Sequence, residues 1–107
     1  MTFRFDGRTV IVTGAAHGFG RALVLRFAAL GARAYGADVN EEGLAETERL
    51  ARDAGTPATC VVTDVTDRSA VQALVDRAAN DAGGVDVVVN NAGGVLGQVG
   101  RPVEEVP

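Results

Sequence analysis

Short apolar runs alternate along this chain with longer amphipathic stretches, and this alternation is its most regular feature. Val10–Val12 and Val87–Val89 are uninterrupted runs of β-branched residues, typical of strands buried on both faces of a parallel sheet. Between such runs, apolar residues recur at helical spacing, as Leu23, Val24 and Phe27 do. The pattern predicts strands at about Thr9–Thr13, Arg33–Asp38, Ala58–Thr63 and Val85–Asn90.

Three helices are expected between these strands. The first two are predicted at about Phe19–Leu30 and Glu41–Ala54, and the third begins at Thr66 or Asp67, either of which is a good N-cap. The third helix carries one apolar stripe, formed by Val71, Leu74, Val75 and Ala78. Glycines follow each helix, at Gly31, Gly55 and Gly83–Gly84, where they favour termination.

Strands that alternate with helices indicate βαβ units and a parallel sheet, an α/β fold. Right-handed crossovers then place the strands in the order 3-2-1-4, with the first two helices on one face and the third on the other. This is a doubly wound sheet whose order reverses between strands one and four, which is where ligands bind in open α/β sheets. A chain of 107 residues permits one domain, and Val95–Pro107 has no clear periodicity.

The turn between the first strand and the first helix has the character of an anion site. Gly14, Gly18 and Gly20 remove side chains where the backbone turns sharply and where a ligand must approach it closely. Such a turn directs unpaired N–H groups and the positive end of the helix dipole outward. A pyrophosphate fits this arrangement.

Thr13–Gly20 reads Thr-Gly-x-x-x-Gly-x-Gly, and Asn90–Gly93 reads Asn-Asn-Ala-Gly. With these two motifs the chain resembles the short-chain dehydrogenase/reductase family, in the family's order and spacing from about Asp6 to Gly94. The resemblance implies a Rossmann-type fold and hydride transfer between NAD(H) and an alcohol or carbonyl substrate. A non-catalytic NAD-sensing or interaction module stays open as an alternative, whereas the Asn-Asn-Ala-Gly motif argues against a methyltransferase with a similar glycine-rich loop.

The resemblance implies a cofactor site at the carboxyl ends of the strands. Asp64 and Val65 would flank the adenine, while Asn91, Ala92 and Gly93 would lie against the ribose on the nicotinamide side. The full set of implied cofactor-binding residues is Gly14, Ala16, His17, Gly18, Phe19, Gly20, Asp38, Val39, Asp64, Val65, Asn91, Ala92 and Gly93. No metal site is predicted.

Asp38 ends the second strand, 20 residues after Gly18, which is the spacing of an acidic residue that binds the adenosine ribose hydroxyls. A carboxylate there would repel a 2′-phosphate, so NAD is favoured over NADP. His17 and Val39 stand where NADP-preferring relatives usually have Arg or Lys, although a protonated His17 would tolerate a phosphate.

Each of these residues also has a purely structural interpretation. Asp38 would then be a turn residue beside Asn40, and His17 an exposed residue that only lines the turn. Asp64 and Val65 would belong to the capping group of the third helix.

Composition narrows the class of protein further. The net charge is −4 and the ten basic residues are scattered arginines, which gives no support for nucleic-acid binding. No apolar run approaches the ~20 residues of a membrane helix. Cys60, the single cysteine, is expected to be a small buried hydrophobe, and its isolation favours a cytoplasmic protein.

The resemblance also shows what these 107 residues lack. The family uses a serine and a tyrosine with a lysine four residues later, but the sequence has no lysine, and Tyr35 is followed by Val39 at that spacing. Ser69, the single serine, lies in the first turn of the third helix. No catalytic residue is therefore assigned, and residues 1–107 are expected to be the inactive cofactor-binding half of one domain in a homo-oligomeric enzyme.

Overall fold

The computed structural model describes residues 5–91, which form a three-layer α/β sandwich. The elements follow the order that the hydrophobic pattern predicts. They are β1 (Thr9–Thr13), α1 (Gly18–Ala29), β2 (Arg33–Asp38), α2 (Glu41–Asp53), β3 (Thr59–Val62), α3 (Arg68–Ala82) and β4 (Val87–Val89).

The sheet is parallel and its strand order is β3-β2-β1-β4, which confirms the predicted doubly wound topology. In the register, Val10 lies between Ala34 and Val87, and Val12 between Gly36 and Val89. β1 is thus an inner strand, and all its residues are buried.

Alternate residues of β1 supply the two halves of the core. Val10 and Val12 pack on one face with Val24 of α1 and Leu44 of α2. Ile11 packs on the other face with Leu74 of α3. The first two helices therefore cover one face and the third covers the other, as the crossover rule predicts.

β4 is shorter than the apolar run that contains it, because polar side chains make hydrogen bonds to the backbone at both of its ends. Asp86 accepts a hydrogen bond from the N–H of Thr9 through Oδ2 (2.8 Å) and donates its own N–H to the Thr9 carbonyl (2.9 Å). At the other end, the N–H of Asn91 turns to the Thr13 hydroxyl (2.8 Å). The predicted strand 85–90 is thereby reduced to Val87–Val89.

The start of α3 shows which of the two predicted N-caps is used. Oδ1 of Asp67 accepts hydrogen bonds from the N–H groups of Ser69 (2.9 Å) and Ala70 (3.3 Å). Thr66 instead donates its hydroxyl and its N–H to Asp64. Asp67 is therefore the cap, as its short carboxylate allows.

The outer edge of β3 is closed by a side chain. Oε2 of Glu48, on α2, accepts a hydrogen bond from the N–H of Cys60 at 2.6 Å. An edge strand otherwise offers such groups to another chain. Within residues 5–91, no helix is long and apolar enough to cross a membrane.

Candidate functional site

The turn between β1 and α1 has the backbone conformation that its glycines permit. Gly14 (φ 69°) and Gly18 (φ 57°) adopt the left-handed region. His17 is the N-cap residue of α1, and its exposed side chain makes no capping hydrogen bond. The first turn of α1 has no acidic residue, so its free N–H groups and the helix dipole favour an anion.

Gly20 allows two backbone segments to meet. A Cβ atom at this position would lie 1.9 Å from the carbonyl oxygen of Gly14 and 2.9 Å from Nδ2 of Asn91. Only a residue without a side chain fits there. The start of α1 is therefore in close contact with both the glycine-rich turn and the segment after β4.

Asp38 lies at the end of β2, directly beside this turn. Its Oδ2 accepts a hydrogen bond from the N–H of Ala16 (3.2 Å), and its Oδ1 accepts one from the N–H of Asn40 (3.0 Å). The structure thus contains the local contact with Asn40 that the structural interpretation expects. It also brings the carboxylate to the glycine-rich turn, which the local interpretation does not require.

Thr13 joins the turn to the segment after β4, and the sequence interpretation did not assign it to the site. Its hydroxyl accepts the N–H of Asn91 (2.8 Å) and donates to Oδ1 of Asn90 (3.2 Å). The first position of the Thr-Gly-x-x-x-Gly-x-Gly motif was the signal that pointed to it. Asn91 is the last described residue, and Ala92 and Gly93 lie outside the described range.

Asp64 and Val65 lie between β3 and α3, at the same carboxyl-terminal end of the sheet. Asp64 is exposed, and its Oδ1 accepts the N–H (2.9 Å) and the hydroxyl (2.6 Å) of Thr66. These hydrogen bonds hold the pKa of the Asp64 carboxyl below its usual value. Asp64 thus stabilises the approach to α3, although the capping residue itself is Asp67.

Three large apolar side chains are exposed at this end of the described structure. They are Phe19 (69% exposed), Val39 (65%) and Val62 (54%). Phe19 lies in the first turn of α1, and Val39 and Val62 lie at the ends of β2 and β3. Apolar surface beside an anion site suits a ligand that has both a phosphate and a flat ring. The sequence interpretation did not assign Val62 to the site and placed it within the third predicted strand.

Other candidate groups are located away from this site. The Tyr35 hydroxyl donates to Oδ2 of Asp81 on α3 (3.0 Å), and burial together with this carboxylate raises the pKa of the tyrosine. Burial and the nearby Glu48 raise the pKa of the half-buried Cys60 to about 12, so this thiol stays protonated. Among the described residues, no group of three or more His, Cys, Asp or Glu side chains could hold a metal ion.

A family model described as "short chain dehydrogenase" matches residues 8–107. The chain is 50% identical over 100 residues to 1-deoxy-11-beta-hydroxypentalenate dehydrogenase of Streptomyces avermitilis. This match covers 92% of the chain but 36% of the relative, so the chain spans about a third of the relative's length.

Solved structures that are similar to this chain indicate the same family. A short-chain dehydrogenase/reductase from Burkholderia phymatum in complex with NAD has a TM-score of 0.75 and 42% identity, over 81% of this chain and 31% of that one. A variant of actinorhodin polyketide ketoreductase with NADPH has a TM-score of 0.77 and 36% identity, over 86% of this chain and 35% of that one. Both nicotinamide cofactors therefore occur among similar folds. The chain belongs to the short-chain dehydrogenase family.

Proposed function

We propose that this chain is the cofactor-binding part of an NAD(H)-dependent dehydrogenase that acts on an alcohol or carbonyl substrate. The observation that carries the proposal is the position of the Asp38 carboxylate, hydrogen-bonded to the N–H of Ala16 within the glycine-rich turn. This arrangement brings a site for phosphate and an acceptor for hydroxyl groups next to each other. The adenosine diphosphate half of NAD, whose ribose has free hydroxyl groups, uses both features.

The residues of the turn fit a pyrophosphate. Gly20 lets the start of α1 pack against the Gly14 carbonyl, and the first N–H groups of a helix are the usual partners of a phosphate. We assign the pyrophosphate to Gly14, Ala16, His17, Gly18, Phe19 and Gly20. When bound, the dinucleotide supplies the acceptor or donor of the hydride.

We assign the adenosine end and the nicotinamide end of the dinucleotide to residues on opposite sides of the glycine-rich turn. Asp38 would bind the adenosine ribose, and Val39, Asp64 and Val65 would surround the adenine. Asn91, Ala92 and Gly93 would contact the ribose on the nicotinamide side. Two observations support this assignment. These segments all follow the carboxyl ends of parallel strands, and the Thr13 hydroxyl holds Asn91 beside the turn.

NAD is the preferred cofactor in this proposal. Two backbone N–H groups fix the Asp38 carboxylate, so it cannot easily move away from a 2′-phosphate. A phosphate carries about −1.5 to −2 charges at pH 7 and would face a negative group there. Val39, which follows Asp38, offers no compensating cation.

The cofactor preference can be measured on the full-length protein by calorimetric titration with NADH and NADPH. We expect NADH to bind more tightly, and Asp38→Ala to weaken NADH binding by about tenfold to a hundredfold, the usual effect of losing hydrogen bonds to a charged group. Asp53→Ala is the control, because its carboxylate is exposed and pairs with Arg49 on the surface. Equal affinity of the unaltered protein for NADH and NADPH would contradict the preference.

Proton transfer in the complete enzyme requires residues that these 107 positions do not contain. The sequence has no lysine, and the Tyr35 hydroxyl is bound to Asp81 on α3. We therefore expect a purified 107-residue chain to produce no NADH from NAD and an alcohol, even if it binds NADH. Alcohol-dependent absorbance at the NADH band, absent from a blank without protein, would contradict this expectation.

We also infer that the complete protein is a cytoplasmic homo-oligomer, as the family resemblance implies. The single cysteine agrees with a reducing compartment. Light scattering on the full-length protein would test the oligomeric state.

A further inference from the structure

Behind the glycine-rich turn, on the side that faces α2, lies a buried polar network. Thr47 of α2 is 0% exposed, and its hydroxyl donates to the carbonyl oxygen of Ala15 at 2.7 Å. The hydroxyl oxygen of Thr47 in turn accepts a hydrogen bond from Nε of Arg21 on α1 at 2.9 Å. One hydroxyl on α2 therefore connects the turn to a guanidinium group on α1.

Arg21 then contacts the turn itself. One of its terminal nitrogens donates to the carbonyl oxygens of Ala16 (2.5 Å) and Gly43 (3.0 Å). Gly43 makes room for this contact, because a Cβ atom there would lie 2.7 Å from both Cβ and O of Ala16. Gly43 lies in the first turn of α2, where the close approach of Ala16 leaves no room for a side chain.

These contacts determine which way the peptide groups of the turn face. A peptide group is planar and trans, so its C=O and N–H point in opposite directions. Arg21 draws the Ala16 carbonyl towards α2, and the N–H of His17 must then point away from α2. If this peptide group rotated by half a turn, a carbonyl oxygen would replace the N–H and would repel a phosphate.

We propose that Arg21 and Thr47 are positioning residues that hold the Ala15–His17 backbone in the conformation that binds the cofactor pyrophosphate. This inference rests on the proposed function of the turn and adds two residues that need not touch the cofactor. Thr47 fixes the carbonyl of Ala15. The N–H of the same peptide group belongs to Ala16 and donates to the Asp38 carboxylate. Arg21 fixes the next peptide group. Together they link the ribose acceptor and the phosphate site.

The test is the affinity of the full-length protein for NADH, measured by calorimetry together with the melting temperature. Thr47→Val keeps the side-chain shape but removes the hydroxyl and with it the hydrogen bonds to Ala15 and Arg21, and Arg21→Lys keeps the charge but loses the forked geometry. We expect each to raise the dissociation constant by about tenfold, the lower end of the effect of one lost charged hydrogen bond. Thr47→Ser restores the hydroxyl and is expected to stay within about threefold of the unaltered protein.

Two controls separate positioning from general destabilisation. Arg26→Lys repeats the Arg-to-Lys change on an exposed part of α1. Leu74→Ala opens a cavity on the opposite face of the sheet, so it should lower the melting temperature and leave NADH affinity unchanged. If Thr47→Val fails to fold, Arg21→Lys carries the test.

The inference is overturned if the Thr47→Val and Arg21→Lys proteins bind NADH as tightly as the unaltered protein. It is also overturned if Leu74→Ala weakens NADH binding as much as they do at a similar loss of melting temperature. Failure of the proposed function looks different, because the unaltered protein would then bind no NADH at all.

Discussion

At the scale of single residues, the site depends on a few groups that each make more than one contact. The Asp38 carboxylate binds the glycine-rich turn through one oxygen and Asn40 through the other. The Thr13 hydroxyl binds both Asn90 and Asn91. Neither side chain can be replaced without freeing the backbone around it, so small substitutions here should have large effects.

Gly20 offers the sharpest prediction at this scale. Gly20→Ala places a methyl group 1.9 Å from the Gly14 carbonyl oxygen, so the backbone must shift despite the higher helix propensity of alanine. We expect a loss of about 1–3 kcal/mol in the free energy of unfolding, the usual range for overpacking, measured by denaturant titration.

Gly84→Ala is the matched control, because a Cβ atom at Gly84 meets no atom within 4 Å. We expect its stability to change by less than about 0.5 kcal/mol, as for most surface substitutions. If the two variants were equally stable, the close packing at Gly20 would have no energetic consequence.

At the scale of elements, the sequence predicted order and type well because each strand and helix has a local signature. The uninterrupted apolar runs of β1 and β4 and the stripe on α3 are properties of neighbouring residues. Boundaries were less accurate where a distant polar group intervenes. β4 is shorter than predicted because Thr9 and Thr13, more than 70 residues earlier in the chain, bind its flanking residues.

The same argument explains what the sequence could not show about the site. Gly14, Gly18, Gly20 and Asp38 were predicted as site residues because they stand at a recognisable spacing. Arg21 and Thr47 were not, because the contact between them joins residues 26 positions apart on different helices, and no local pattern records it. Gly43 was a visible clue, since a glycine in the first turn of a helix needs an explanation.

β4 carries a prediction of its own. Its residues are half-buried, and among residues 5–91 it pairs only with β1, so no strand within that range pairs with its other edge. We expect a sample of the 107-residue chain to self-associate through this edge. Light scattering across a concentration series tests this, and a monomer at high concentration whose β4 amides resist hydrogen exchange would contradict it.

At the scale of the whole molecule, the two edge strands of the described sheet differ in how their outer backbone groups are covered. Glu48 covers the N–H of Cys60 at the outer edge of β3, whereas β4 has no comparable partner within the described range. The matched region makes up 36% of one relative and 31% of a solved structure, and the latter shares the fold of this chain over the region compared. The proposed dehydrogenase activity would need proton-transfer groups that these 107 positions do not contain.

The contacts of Thr13 have a consequence for the thermodynamics of binding. One hydroxyl ties the start of the glycine-rich turn to Asn90 and Asn91, so the surfaces of the turn and of Asn91 are joined before a dinucleotide binds. Most of the conformational entropy needed to align these surfaces is therefore lost when the chain folds, and little remains to be lost on association. Preorganisation of this kind increases affinity without adding a single contact to the ligand.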